Sequence, residues 1–299
     1  MPSQSLTVQR LVTYDHASQE TRRVETESNV WLVSLGSAAL LIDAGFGCND
    51  NTDRIVRTVA QKHLQIQAIY LTHGHRDHVL GAPALSARLG CSLHCHPLEK
   101  ALIEQTWRRA LGSPQRDETS TAPLIADLTA GVTGRLASAR FRVLHTPGHS
   151  HGHIALWFAD SGDVFTGDTI VPSGTVWIGP PDGHMTDYLG SLEQLLGLGA
   201  SVAHTGHGHS VRDPMTLITA MRDRRLARES AIWSYLSQQE ASVEDITAAL
   251  YGHDLDEDLT RVASRTVLAH IERLAAQNRA VVRYDITTRQ LLYRATGSR

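Results

Sequence analysis

Thr72-His73-Gly74-His75-Arg76-Asp77-His78 sets three histidines and an aspartate within six consecutive residues. The four residues before it, Ala68-Ile69-Tyr70-Leu71, form an apolar run of the kind a buried strand shows. Those after it, Val79-Leu80-Gly81-Ala82, open a helical pattern that continues from Pro83 to Leu89. The cluster therefore falls on a loop between strand and helix, where rigid elements hold loop side chains in place. Imidazole nitrogens and carboxylate oxygens suit zinc and related divalent ions. In an extended or turning loop His73 and His75 can point the same way and chelate one ion. Asp77 and His78 follow and can turn toward a second. The chain is rich in histidine, 17 of 299 residues, so histidines alone would say little. The whole H-x-H-x-D-H pattern in a strand-loop-helix setting says much more.

Further turns extend the pattern in order along the chain. His149 lies in His145-Thr146-Pro147-Gly148-His149-Ser150, and Asp168 in Phe165-Thr166-Gly167-Asp168-Thr169. His207 lies in Thr205-Gly206-His207-Gly208, and Asp43 in Leu41-Ile42-Asp43-Ala44-Gly45. With these residues the chain resembles the metallo-β-lactamase-fold hydrolases over about residues 5–215. One departure is Thr205, where proline is commoner in that family. The resemblance implies an αββα sandwich. It also implies that His73, His75 and His149 hold one ion, that Asp77, His78 and His207 hold another, and that Asp168 bridges them. Asp43 is implied to stand behind the metals. Spacing alone supports two three-ligand sites without assigning partners.

The chemistry expected of such a pair is hydrolytic. Two divalent cations, zinc by default with iron or manganese as alternatives, bring the pKa of a bridging water down toward about 7. The resulting hydroxide attacks a carbonyl or phosphoryl centre, the metals stabilise the oxyanion, and Asp77 orients the hydroxide and shuttles its proton. No G-x-S-x-G or phosphate-loop pattern competes with this reading.

Residues 170–186 form a long Pro/Gly-rich loop with apolar groups, and such loops tend to be functional. It is read as one wall of the substrate cleft, with Trp177, Ile178, Met185 and Tyr188 as substrate contacts. His184, just before a helix over 187–197, is a candidate proton donor, weighed against a solvated loop histidine. His145, His151 and His153 around His149, and His204 and His209 around His207, are read as supporting or core groups. Cys91-Ser92-Leu93-His94-Cys95-His96 invites a zinc reading, but it lacks a C-x-x-C pair, and its alternation fits a half-buried strand.

Elsewhere the sequence predicts a first strand over 6–12, a hairpin around Gly36, a helix over 52–64 and another from Glu99 to Ala110. Residues 111–133 read as a surface connection. Strands are expected at 141–144, 154–158, 164–165 and 201–204. From Pro214 the composition shifts. A charged helix over 214–239 carries Arg224-Arg225-Leu226-Ala227-Arg228-Glu229. Ser242 caps a helix to Tyr251, with Asp245 three residues on. A helix over 259–277 and a hairpin at 280–284 and 290–293 complete a winged-helix module. This second half resembles the beta-lactamase-like-protein-2 group of the same family, which implies single-stranded RNA as substrate. The expected division is a catalytic domain over 1–213 and a linking helix plus winged helix over 214–299.

Arg261, Arg265 and Arg273 on helix 259–277 could meet nucleic acid. Asp254, Asp256, Glu257 and Asp258 at its start would repel phosphates, so a buttressing or dimer-forming role is preferred. The net charge of −3 gives no whole-chain reason to expect nucleic acid or anionic membrane. No apolar run approaches the ~18 residues of a membrane span. Three cysteines and an N-terminus without a secretion pattern fit a cytoplasmic location. The expected function is hydrolysis of an ester-type bond (thioester, lactone or similar) in a small molecule. RNA phosphodiester cleavage is the alternative, with a β-lactamase or a non-catalytic metal-stabilised binding protein behind it.

Overall fold

A computed structural model of the chain describes residues 5–15, 27–111, 125–252 and 255–297. The first half builds one six-stranded sheet. β1 (Thr7–Tyr14), β2 (Glu27–Leu35) and β3 (Ala38–Ile42) pair antiparallel, and β2 and β3 form the hairpin around Gly36. β4 (Gln65–Tyr70), β5 (Ser92–Cys95) and β6 (Ile125–Asp127) follow in parallel. Parallel neighbours need crossovers, and helices supply them. α1 (Asn49–Gln61) joins β3 to β4, and α2 (Arg76–Val79) and α3 (Ala82–Leu89) join β4 to β5. A short turn, Pro97–Glu99, leads into α4 (Lys100–Leu111).

The second half builds another six-stranded sheet from β7 (Thr133–Leu136), β8 (Ala139–His145), β9 (Ile154–Phe158), β10 (Asp163–Gly167), β11 (Val202–Thr205) and β12 (Val211–Arg212). Only β10 and β11 are parallel, and α5 (Met185–Leu196) crosses between them.

The two sheets stack because both carry period-two apolar faces. Trp31, Val33, Leu35, Leu40 and Ile42 from the first meet Phe141, Val143, Leu156, Phe158 and Phe165 from the second. The alternate residues Val30, Leu32, Ala39 and Leu41 face outward and pack on Ile55 and Val59 of α1, Leu85 of α3 and Ile103 and Trp107 of α4. α5 covers the outer face of the second sheet through Tyr188, Leu189, Leu192 and Leu195. The result is helix, sheet, sheet, helix.

The C-terminal part begins with α6 (Pro214–Gln238), followed by α7 (Val243–Tyr251), α8 (Glu257–Ala276) and the hairpin β13 (Ala280–Asp285) and β14 (Gln290–Ala295). Ser242 caps α7 in a reciprocal box with Asp245, as the sequence predicts. These elements share a core of Ile232, Leu236, Ile246, Val267, Ile271, Leu274 and Tyr293. α6 and α8 also reach into the core beneath α5 through Ile218, Met221 and Ala269.

Two sequence expectations need correcting. The helix after the histidine cluster is two helices, because the chain breaks at Leu80-Gly81 and Pro83 sits at the start of α3. The connection expected over 111–133 contains a strand, β6, which pairs with β5. Residues 112–124 and Asp254 lie outside the described residues.

Candidate metal centre

All the sequence-predicted ligands converge at one end of the sandwich. β4 delivers His73 and His75 on the segment before α2, and the single turn of α2 buries Asp77 and His78. The turn after β8 carries His149, the end of β10 carries Asp168, and the turn after β11 carries His207. Gly148 has φ +130°, and a Cβ there would collide with the backbone of Tyr188, so only glycine lets the His149 turn sit against α5. Gly206 is tight for another reason: a methyl group there would run into the Asp168 carboxylate and the His78 ring.

The ligand atoms form two trios. In the first, His75 Nδ1 lies 3.1 Å from His73 Nε2 and 2.9 Å from His149 Nε2. In the second, Asp77 Oδ2 lies 3.1 Å from His78 Nε2 and 3.2 Å from His207 Nε2. Asp168 stands between them. Its Oδ2 is 3.7 Å from His149 Nε2, 4.0 Å from His73 Nε2 and 3.2 Å from His207 Nε2. Its Oδ1 is 3.5 Å from His78 Nε2.

The outer ring nitrogens are fixed by acceptors. His78 Nδ1 donates to Asp43 at 2.8 Å, and His149 and His207 donate to the carbonyls of Trp177 and Glu27, each at 2.8 Å. His73 Nδ1 bonds Thr72 Oγ1 at 3.0 Å, and Thr72 passes the bond on to Asp43 through its amide and hydroxyl. An acceptor on the outer nitrogen leaves the inner lone pair free to ligate. His75 Nε2 faces Asp182 Oδ2 at 3.8 Å. The backbone amide of Asp168 donates to buried His153 at 3.1 Å, and His153 in turn bonds Thr146 at 2.9 Å.

Among the described residues, three buried polar atoms at the centre, Asp77 Oδ2, His78 Nε2 and Asp168 Oδ1, have no hydrogen-bond partner. Buried polar atoms are seldom left unpaired without a reason. Here the orphans belong to one convergent set of imidazoles and carboxylates, so the residues present fit a pair of divalent ions.

The charge pattern separates the trios. Burial, reinforced by neighbouring histidines, holds His73 well below its ordinary pKa and lowers His149 to about 4. Burial also pulls on His78 and His207, but the carboxylates outweigh it. Asp77, Asp168 and Asp43 raise His78 well above its usual value, and Asp168 with Asp77 raises His207 to about 11. Asp77 and Asp168 are held far below the carboxylate range, for burial opposes their charge less than the facing histidines favour it.

A family model described as the metallo-beta-lactamase superfamily matches residues 23–207. The chain belongs to that superfamily. It is a hydrolase of the metallo-beta-lactamase type, and a beta-lactamase associated winged helix domain matches residues 242–287. The chain is 26% identical over 264 residues to an atrochrysone carboxyl ACP thioesterase of Aspergillus fumigatus. That match takes in 84% of this chain and 57% of the thioesterase, so the chain spans little more than half of that relative. A beta-lactamase domain protein from Burkholderia ambifaria shares the fold with a TM-score of 0.81 at 19% identity, over 97% of this chain and 91% of that one. The protein TTHA1623, solved in a di-iron-bound form, matches 64% of this chain and 92% of its own at 30% identity and a TM-score of 0.52.

The loop expected to wall the cleft divides on inspection. Ile178, Met185 and Tyr188 are fully buried in the core with Leu189 and Leu192, so their assignment as substrate contacts is corrected. They anchor the loop. Trp177 keeps some exposure, and its ring lies 6.2 Å from that of His75 and 6.4 Å from that of His149. His184 donates its backbone amide to Gly148 and pairs Nδ1 with Asp187 at 2.9 Å. Three residues at the site went unassigned in the sequence: Glu99, which is buried among the ligand loops, Asp182, and Ser28, whose hydroxyl donates to the carbonyl of Asp77. Each is a single polar residue with no motif around it. The cysteine-histidine run 91–96 forms no metal cluster among the described residues. Leu93 and Cys95 point into the core, and His94 stacks on Tyr70.

Proposed function

We propose that this chain hydrolyses an ester-type bond in a small molecule, with an acyl thioester as the first candidate. Asp168 shared between two trios is the observation that supports hydrolysis at a dinuclear centre. Two divalent ions bound there, zinc first and iron or manganese as alternatives, supply Lewis acidity and a water deprotonated near neutral pH. The chain's own part is to hold seven ligands rigid, with Asp77 placed to orient the attacking water. His184, whose Nδ1 is held by Asp187, keeps Nε2 as the ring atom able to pass a proton to the leaving group. The name of the Aspergillus fumigatus relative supports the thioester. Trp177 supports an apolar acyl group, because its partly exposed ring stands beside the first trio.

The winged-helix arginines favour a small molecule over RNA. Arg261 pairs with Asp258 at 2.5 Å and Arg273 with Glu229 at 3.4 Å. The backbone and Cβ of Arg265 pack against Gly179 of the catalytic half, and the residue itself stays exposed. We divide the chain at 213/214 into a catalytic domain and a C-terminal buttress. The test is hydrolysis by metal-analysed protein of an acyl thioester and of a labelled single-stranded RNA, each beside Asp77→Asn. Thioester turnover that vanishes in Asp77→Asn is expected. RNA cleavage with no thioester turnover would overturn the reading in favour of a nuclease.

A further inference from the structure

Glu99 ends the short turn before α4 and is 1% exposed. Its Oε2 accepts from the amide of Gly74 at 2.7 Å. Its Oε1 accepts from the hydroxyl of Ser150 and from the amide of Gly152, both at 2.7 Å. Three donors face the group, and among the described residues it has no ion pair. Lys100 next to it is committed to Asp127 at 2.7 Å. Both oxygens of the buried carboxyl are thus satisfied by donors.

The partners of Glu99 are specific. Gly74 lies between His73 and His75, and Ser150 follows His149. One carboxylate thus ties together both segments that supply the first trio. The second trio has other supports: Asp43 on His78, Ser28 on the carbonyl of Asp77, and Asn29 and Trp31 on the carbonyl of Thr205. The first trio is made of three imidazoles, and its carboxylate is the Asp168 shared with the second trio. A buried negative charge on its backbone therefore favours a dication there, in a setting where charges are poorly screened.

We propose that Glu99 is a positioning residue that presets the His73, His75, His149 trio and sets its metal affinity separately from that of the Asp77, His78, His207 trio. The proposal rests on reading the trios as metal sites, not on the ester-type substrate. Partners behind metal ligands are worth 10- to 100-fold in affinity. Glu99→Gln keeps the shape, removes the charge and turns an amide N–H₂ toward at least one of the three donors.

The experiment is a cobalt(II) titration of metal-free full-length protein, followed by visible absorption and by competition with a chelator. His149→Ala and His207→Ala identify which binding phase belongs to which trio. In Glu99→Gln the first-trio affinity is expected to fall at least tenfold, with the second within twofold of the parent. Ser150→Ala, which removes one donor and leaves the carboxylate, is expected to lower the first-trio affinity by a smaller factor, and it carries the test if Glu99→Gln does not fold. Unchanged affinities, or equal losses in both phases, would overturn the proposal. A parent that binds fewer than two ions would overturn the metal assignment, and the proposal with it; that failure shows in the parent and not in the variants.

Discussion

His149 and His207 sit a few ångströms from the same carboxylate and answer it in opposite ways. His149, lowered to about 4, carries no proton at neutral pH, so an ion entering the first trio displaces none from it. His207, raised to about 11, carries one, as does His78. An ion entering the second trio must displace them. Metal binding that releases protons strengthens as pH rises, by roughly tenfold per pH unit for each proton displaced. The second affinity is therefore expected to climb more steeply between pH 6 and 8 than the first. Titrations of the metal-free protein at several pH values check this, and parallel slopes would sink it. A second prediction concerns His184→Ala, expected to lower kcat by about 10²-fold, the low end of general acid catalysis, with metal content retained. Unchanged kcat by steady-state assay removes its proton-transfer role. At this scale the sequence picked out the seven residues that converge, because they lie in patterned turns. It could not show Glu99 or Asp182, which are single carboxylates whose partners lie on other loops. Ile178 and Met185 were read as substrate contacts because an aperiodic loop carries no signal of which side chains turn inward.

At the scale of elements, the site depends on how closely the turns pack. Gly206 lets the turn after β11 close over Asp168 and His78. Gly206→Ala is expected to push Asp168 out of its bridging position and lower metal content from two ions toward one, measured by elemental analysis. α7 offers a control remote from the chemistry. Its box of Ser242 and Asp245 holds two otherwise unpaired amides. Ser242→Ala is expected to cost about 1 kcal/mol in denaturant unfolding with turnover unchanged. The strands and most helices were legible because their apolar residues repeat with period two or near four. β6, β7 and β12 were not, for they are edge strands of two to four residues, too short to show a period.

Over the whole molecule, the Arg-Arg-Leu-Ala-Arg-Glu stretch of α6 connects the two halves. Arg225 donates to the carbonyl of Val176 and lies 5.5 Å from the Tyr188 ring centre. The next carbonyl, that of Trp177, receives His149. Arg228 covers the Tyr251 ring, and Glu229 gathers Arg273 and Arg279. The C-terminal module is thus one residue removed from a hydrogen bond that orients His149. Arg225→Ala leaves a buried carbonyl without its donor, which costs about 1–3 kcal/mol. It is expected to lower both the melting temperature and turnover. Arg261→Ala, on the exposed side of α8, is expected to change neither, since surface pairs contribute about 0–1 kcal/mol. Equal effects of the two substitutions would argue against the link. Sequence reading found this module, but not that its first helix reaches the ligand loop, because that contact depends on how separate elements dock.

Each trio takes ligands from both sheets: His73, His75, Asp77 and His78 follow β4, His149 follows β8, and His207 follows β11. Ions held there are rivets through a laminate. The two layers otherwise meet mostly through apolar side chains, which resist sliding weakly because such contacts have no direction, and through a few hydrogen bonds such as those of Asn29 and Trp31 to Thr205. Under a stretching force on a single molecule, the loaded protein should hold as one unit until coordination ruptures, then fail abruptly. Stripped by a chelator, the same layers should slip apart at lower force.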